Sequence, residues 1–302
     1  MNPRTERVGF RRKKIMISNS MFLAPNAFKA ALASGLPQVG IWTSLCSNIV
    51  AEILAGSGFD WILIDTEHAP NEVPGVLSQL QAMAAGTAEP VVRCAWNDPV
   101  MVKRILDIGA RSLLVPFVQN AQEARAAVSA TRYPPLGNRG VSVAPRANRY
   151  GRVPDYHRKA NQDICVLVQV ETRAAVGQIE AIAAIEGVDG IFIGPSDLAA
   201  DLGHLADNGH PEVQALIADA CARIRAAGKA AGILSGAAED AARYFDMGFT
   251  FVAVGSDLGI LAQGSAKRAA DVRTHLAGRA ADLQHEAAPR QVTPAVDGHP
   301  AA

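Results

Sequence analysis

The sequence predicts an α/β chain folded as a (β/α)8 TIM barrel, and three observations lead there. Eight short apolar runs recur along the chain, at residues 38–43, 61–65, 90–94, 112–116, 164–170, 190–193, 230–234 and 250–254. They are continuously apolar rather than alternating, which suits parallel strands covered on both faces. Most are followed by a helix-period segment, and eight such repeats in one chain close into a barrel. A doubly wound open sheet is the alternative topology.

Taken in order, residues 1–24 have a basic start and only a broken apolar stretch, too short for a secretory signal. They are expected to be a disordered extension. The barrel domain is placed at residues 25–280. Helices are expected at 48–55, 100–108, 121–130 and 211–227, between the strands. Gly58, Gly109, Gly187, Gly228 and Gly248 fall where helices should end, as glycines do at C′ positions. One interval, 133–162, is irregular and rich in Pro, Gly, Arg and Tyr; long ordered loops are usually functional or mobile. It is expected to cover the barrel mouth or to contact a neighbouring subunit. The stretch 281–302 is Pro- and Ala-rich towards its end and is read as a disordered tail.

Composition narrows the function. Lys plus Arg equals Asp plus Glu at 29 each, so no basic footprint for nucleic acid or an anionic membrane follows. No apolar run reaches membrane-spanning length. The four cysteines form no CxxC pair and read as buried thiols of a reducing compartment, the cytoplasm.

Barrel chemistry sits at the C-terminal ends of the strands. Strand two ends in Asp65-Thr66-Glu67-His68, strand three in Arg93, strand five in Gln169 and Glu171, and strand six runs into Asp197. Glu171 and Asp197 follow neighbouring strands about 4.8 Å apart, so they face one small oxygen-ligand site, where a hard divalent cation would sit. A 2-oxo acid bound there through its keto and carboxylate oxygens becomes acidic at the adjacent C–H. His68 suits proton transfer near neutrality, and Asp65 is expected to fix its tautomer. Arg93, permanently charged, would stabilise a developing enolate. The backbone amides of Ser196 and Asp197 open a helix and suit a substrate carboxylate. Singly, each residue is as well explained as a cap or an ion-pair partner. Four of them at four strand ends on one face make a site. The remaining histidines, His157, His204, His210, His275, His285 and His299, are assigned no role. No lysine stands at a strand end to form a Schiff base. Ser235-Gly236 and Gly255-Ser256 are only weak candidates for a phosphate cradle.

The segments GFDWILIDTEHAPN, PVVRCAWNDPVMVKRILDIGA, LLVPFVQNAQEA, TRYPPLGNRGV, VLVQVETRAAV and GVDGIFIGPSDLAADLG, in this order, resemble the HpcH/HpaI family of class II pyruvate aldolases. The resemblance runs from about Phe28 to Ala262. It implies Glu171 and Asp197 as ligands of Mg²⁺, Mn²⁺ or Co²⁺, His68 as base with Asp65 as dyad partner, and Arg93 on the keto oxygen. Gln169 matches a pocket residue, and Ser196 stands where relatives often carry Ala. Leu234, Arg146 and Arg149 are expected on the far rim, where they would select the aldehyde. The implied reaction is reversible retro-aldol cleavage of 4-hydroxy-2-oxo acids, 4-hydroxy-2-oxoheptanedioate among them, to pyruvate and an aldehyde such as succinate semialdehyde. Alternatives on the same site are 2-dehydro-3-deoxyglucarate or another 2-keto-3-deoxy sugar acid as substrate, or hydroxypyruvate as donor. A barrel that only binds a 2-oxo acid is the non-enzymatic reading. The family assembles as trimers or hexamers, with the last helix packed on a neighbouring subunit.

Overall fold

Eight parallel strands pair in chain order and close, β8 returning to β1. They are β1 (Gln38–Thr43), β2 (Trp61–Asp65), β3 (Glu89–Arg93), β4 (Ser112–Val115), β5 (Cys165–Val170), β6 (Gly190–Ile193), β7 (Ala230–Leu234) and β8 (Phe251–Ser256). The computed structural model describes residues 24–287. The extension expected at 1–24 lies outside them except for its last residue. So does the expected tail beyond residue 287, whereas 281–287 continue the helix Asp257–Ala287.

The strands are buried throughout their central positions because helices cover the outer face and side chains fill the inside. The outer core joins residues such as Ile62, Val92, Leu106 and Ile217 across the strand–helix layer. Inside the barrel, Trp42, Trp61, Leu63, Phe192 and Phe251 interdigitate. These large rings require small partners: a Cβ on Gly40 would meet the Trp61 ring at 2.1 Å, and one on Gly232 the Phe251 ring at 2.2 Å.

The helix Ala27–Ala33 closes the N-terminal end. Its Phe28 packs on Trp61 and Phe251, with ring centroids 5.7 and 5.9 Å away. Its cap residue Asn26 accepts from the Lys29 amide and donates to Ser112 Oγ and the Asp163 carbonyl. With this end plugged, the C-terminal ends of the strands are left as the open mouth. Gly248 ends the helix Ala238–Met247 at φ +109°, a conformation costly to a side chain, and so turns the chain into β8.

The helix Asp257–Ala287 is described by itself from Leu258 onward. It is 31 residues long and exposes Leu258, Ile260, Leu261, Val272 and Leu276. No helix among the described residues is long and apolar enough to cross a membrane.

Candidate active site

Asp65 and Arg93 are register partners across β2 and β3, which sets their side chains next to each other at the mouth. Arg93 donates from Nε and Nη2 to the two oxygens of Asp65, at 2.8 and 2.7 Å. Such a two-point pairing fixes the guanidinium plane. Trp42, on β1, donates Nε1 to Asp65 Oδ2 at 3.3 Å and places its ring 5.0 Å from the Arg93 guanidinium carbon. Burial pushes the Asp65 carboxyl up, but hydrogen bonds and charge from Arg93 outweigh it and hold the group below the usual carboxylate range.

Glu67 completes the grip. Its Oε2 lies 2.8 Å from Arg93 Nη1, outside hydrogen-bond alignment, so the contact is an ion pair rather than a directed bond. Burial raises the Glu67 carboxyl despite Arg93 and His68 nearby. The N–H groups of Arg93 that Asp65 does not take lie on its two terminal nitrogens.

His68 is exposed at the mouth, its Nε2 4.0 Å from Glu67 Oε2. The expected dyad between the His68 ring and Asp65 is not formed in this structure: the Asp65 oxygens accept from Arg93, Trp42 and the Glu67 and His68 amides. The carboxylate beside the imidazole is Glu67. The two-point demand of a guanidinium one strand away outcompetes a single imidazole N–H.

Across the mouth, β5 delivers Gln169 and Glu171, both buried. Gln169 Nε2 donates to Glu171 Oε2 at 2.6 Å, and the Phe117 amide donates to Oε1 at 2.8 Å. Phe117 holds φ +54°, an uncommon conformation for an aromatic residue, which aims this amide at the carboxylate. Gly194, after β6, lets the backbone approach: a Cβ there would lie 2.5 Å from Glu171 Oε2. It precedes the helix Pro195–Asp201 and offers no capping side chain. The first-turn amides of Ser196 and Asp197 are left for another acceptor. Asp197 is exposed beside the buried pair.

Burial lifts the Glu171 carboxyl from 4.5 to about 7; the Gln169 hydrogen bond opposes this, and the charges of Asp197 and Glu67 add to it. The Glu171 and Asp197 carboxylates thus lie on one side of the mouth and Glu67 on the other, and the Gln169 Oε1 atom, also buried, has no partner among the described residues. These oxygen donors fit a divalent cation, which would relieve the repulsion. A carboxyl raised in the folded, metal-free protein stays protonated below about pH 7, so a metal ion must displace that proton. Apparent Mg²⁺ or Mn²⁺ affinity is therefore expected to fall by up to about tenfold per unit as pH drops below about 7. Calorimetric titrations between about pH 6 and about pH 8 check this, and a flat affinity would contradict it.

Leu234 ends β7, half-buried against the barrel interior. Arg146 and Arg149 are not on this rim. Arg146 Nη1 donates to the Ile108 carbonyl at 2.6 Å, and Arg139 pairs with Asp107, both at the last turn of the helix Pro99–Asp107. That is the N-terminal end of the barrel, so within the chain residues 133–162 do not cover the mouth. The segment joins a helix to β5, and every helix-to-strand connection of a barrel lies at that end. Lys229 Nζ is likewise bound there, to the Val188 carbonyl. Thiol chemistry is remote: burial pushes Cys94 up to about 12 and Cys221 to about 11.

Sequence reasoning passed over Glu67, Trp42 and Phe117. Glu67 and Trp42 occupy strand ends, the same signal that singled out their neighbours.

Comparison with known proteins identifies a family. The family model described as HpcH/HpaI aldolase/citrate lyase matches residues 38–264. A protein of Klebsiella pneumoniae named 4-hydroxy-2-oxo-heptane-1,7-dioate aldolase is 59% identical over 246 residues, 81% of this chain and 93% of its own. A namesake from Shigella flexneri is 57% identical over 246 residues, 81% of this chain and 92% of its own. A solved HpcH/HpaI aldolase/citrate lyase family protein from Burkholderia cenocepacia J2315 superposes with a TM-score of 0.80 at 42% identity, covering 82% of this chain and 99% of its own. Matched over most of its length by model, relatives and fold, the chain belongs to the HpcH/HpaI aldolase/citrate lyase family.

Proposed function

We propose that this chain is a divalent-metal-dependent class II aldolase, a carbon–carbon lyase that reversibly cleaves 4-hydroxy-2-oxoheptanedioate to pyruvate and succinate semialdehyde. One observation carries the reading: a guanidinium locked by two carboxylates faces a buried Glu171–Gln169 pair across the mouth. The near relatives' name supports the choice of substrate.

Glu171 and Asp197 would hold the metal, with Gln169 beside them; Mg²⁺, Mn²⁺ and Co²⁺ all suit oxygen donors. When bound, the metal supplies Lewis-acid polarisation of the 2-oxo group. The amides of Ser196 and Asp197 bind the substrate carboxylate. The free N–H groups of Arg93 meet the 2-oxo oxygen, where negative charge collects as the C3–C4 bond breaks. His68 takes the proton of the 4-hydroxyl as the aldehyde departs and serves the return of a proton to the pyruvate methyl carbon. Glu67 holds the His68 ring and Arg93 together from one carboxylate. Leu234 borders the space left for the aldehyde.

The test is pyruvate release from racemic 4-hydroxy-2-oxoheptanedioate, coupled to lactate dehydrogenase. Turnover with succinate semialdehyde as co-product is expected. Turnover confined to 2-keto-3-deoxy sugar acids would transfer the same chemistry to that substrate class. No turnover, together with no exchange of pyruvate methyl protons in deuterated water, would leave only a binding barrel.

We further infer a homo-oligomer, trimeric or hexameric, in which the helix from Asp257 packs on a neighbouring copy. Its exposed Leu258, Ile260, Leu261, Val272 and Leu276 support this, since such apolar surface marks an interface. Sedimentation at the monomer mass would contradict it. Four free cysteines, three of them buried, are consistent with a cytoplasmic setting.

A further inference from the structure

A second cluster of metal-ligand side chains lies away from the oxygen-rich site, in the connection between the helices Pro195–Asp201 and Pro211–Ala226. His204, His210 and Glu212 each offer one donor atom, and these atoms lie within 4.8 Å of one another. The His204 and His210 rings stack with centroids 3.4 Å apart and planes 16° from parallel. His204 Nε2 is 2.9 Å from Glu212 Oε2.

The carboxylate divides its work. Glu212 Oε1 takes Arg173 Nη2, while Oε2 faces the imidazole. Oε2 can therefore join a cation without releasing Arg173. His210 accepts from the Glu212 amide through Nδ1 at 3.2 Å, so Nδ1 carries the lone pair that a metal would take. The freed amide lies in the exposed first turn of a helix, where water can replace the cap. Two imidazoles and one carboxylate form a nitrogen-rich donor set. It selects first-row transition dications, unlike the all-oxygen set at Glu171 and Asp197. In-plane coordination requires the stacked rings to rotate apart, and both are partly exposed on a loop.

The cluster is also wired to the mouth. Arg173 lies two residues beyond Glu171, and its amide donates to Asp201, in the helix that carries Asp197. Asn208 Nδ2, between the two histidines in sequence, donates to Ser196 Oγ at 3.2 Å. The loops after β5 and β6 thus meet at Glu212.

We propose that His204, His210 and Glu212 form a second metal site that takes Zn²⁺ or a neighbouring first-row dication and braces the loops bearing Glu171 and Asp197.

Zn²⁺ is titrated calorimetrically into the full chain held in saturating Mg²⁺, for wild type, His204→Ala and His210→Asn. Asn keeps a good helix cap but removes the imidazole. Wild type is expected to take up one more equivalent per chain than either variant, or to bind that equivalent at least about tenfold more tightly. Both variants are expected to retain their Mg²⁺-supported turnover. Displacement of Mg²⁺ from the oxygen site would occur in all three and cancel. Equal stoichiometry and affinity in all three proteins would overturn the site; if His210→Asn unfolds, His204→Ala alone decides. Hydrogen exchange tests the bracing: the Arg173 and Leu198 amides should slow on Zn²⁺ addition in wild type and not in His204→Ala. Unchanged exchange in zinc-loaded wild type would overturn it.

Discussion

Arg93→Lys is expected to lower kcat by at least about a hundredfold, in the range found when one oxyanion donor is removed. The charge is kept, so the loss isolates geometry. Arg93 gives Nε and Nη2 to Asp65 and lies against Glu67 through Nη1, which leaves N–H groups on both terminal nitrogens for a keto oxygen. A lysine has three donors on one nitrogen and cannot hold Asp65 at two points while meeting a keto oxygen. KM should change less than kcat, because the interaction grows as charge develops in the transition state. Arg93→Ala would add a stability loss of about 3–5 kcal/mol by stranding the buried Asp65 charge. Steady-state kinetics with a thermal melt separate the two effects. Arg93→Lys turnover within about threefold of wild type would remove Arg93 from the chemistry.

Glu171→Gln is expected to abolish activity at metal concentrations that saturate wild type, through a loss of metal affinity of at least about a hundredfold. The substitution is nearly isosteric and leaves an oxygen to accept from the Phe117 amide. It removes the charge, and it turns the 2.6 Å contact with Gln169 Nε2 into a choice of amide orientations. Stability of the metal-free fold should not suffer. Burial already raises this carboxyl to about 7, so its charged form is a burden at neutral pH. By linkage, the unfolded carboxyl binds fewer protons than the folded one between 4.5 and about 7. Metal-free wild type therefore loses stability as pH rises through that window, and Glu171→Gln should not. Metal titration and melting curves on the same preparation read both outcomes. Wild-type metal affinity in Glu171→Gln would remove Glu171 from the ligand set.

How far the sequence speaks is clear from particular residues. All eight strands lie within two residues of the runs that the apolar pattern marks, since a strand covered on both faces writes its whole length in Val, Ile and Leu. Strand ends then locate Asp65, Arg93, Gln169, Glu171 and Asp197 at one mouth. What periodicity does not encode is who pairs with whom across strands. That Arg93 claims Asp65 from His68 follows from register and guanidinium geometry, which appear only once β2 and β3 are aligned. The Phe117 amide on Glu171 depends on a left-handed backbone at an aromatic residue, where no glycine announces it. The location of residues 133–162, by contrast, is settled by chain order alone: a segment running from a helix into β5 belongs at the N-terminal end. Arg146 and Arg149 lie there with it.

In the proposed mechanism a metal held by Glu171 and Asp197, working with Arg93, supports cleavage. That mechanism is tested most directly by pyruvate release from racemic 4-hydroxy-2-oxoheptanedioate in EDTA, followed by addition of Mg²⁺, Mn²⁺ or Co²⁺. Activity lost in EDTA and restored by a divalent metal is the predicted result, with Glu171→Gln failing to recover at the same metal concentration. Activity that survives EDTA would contradict the account.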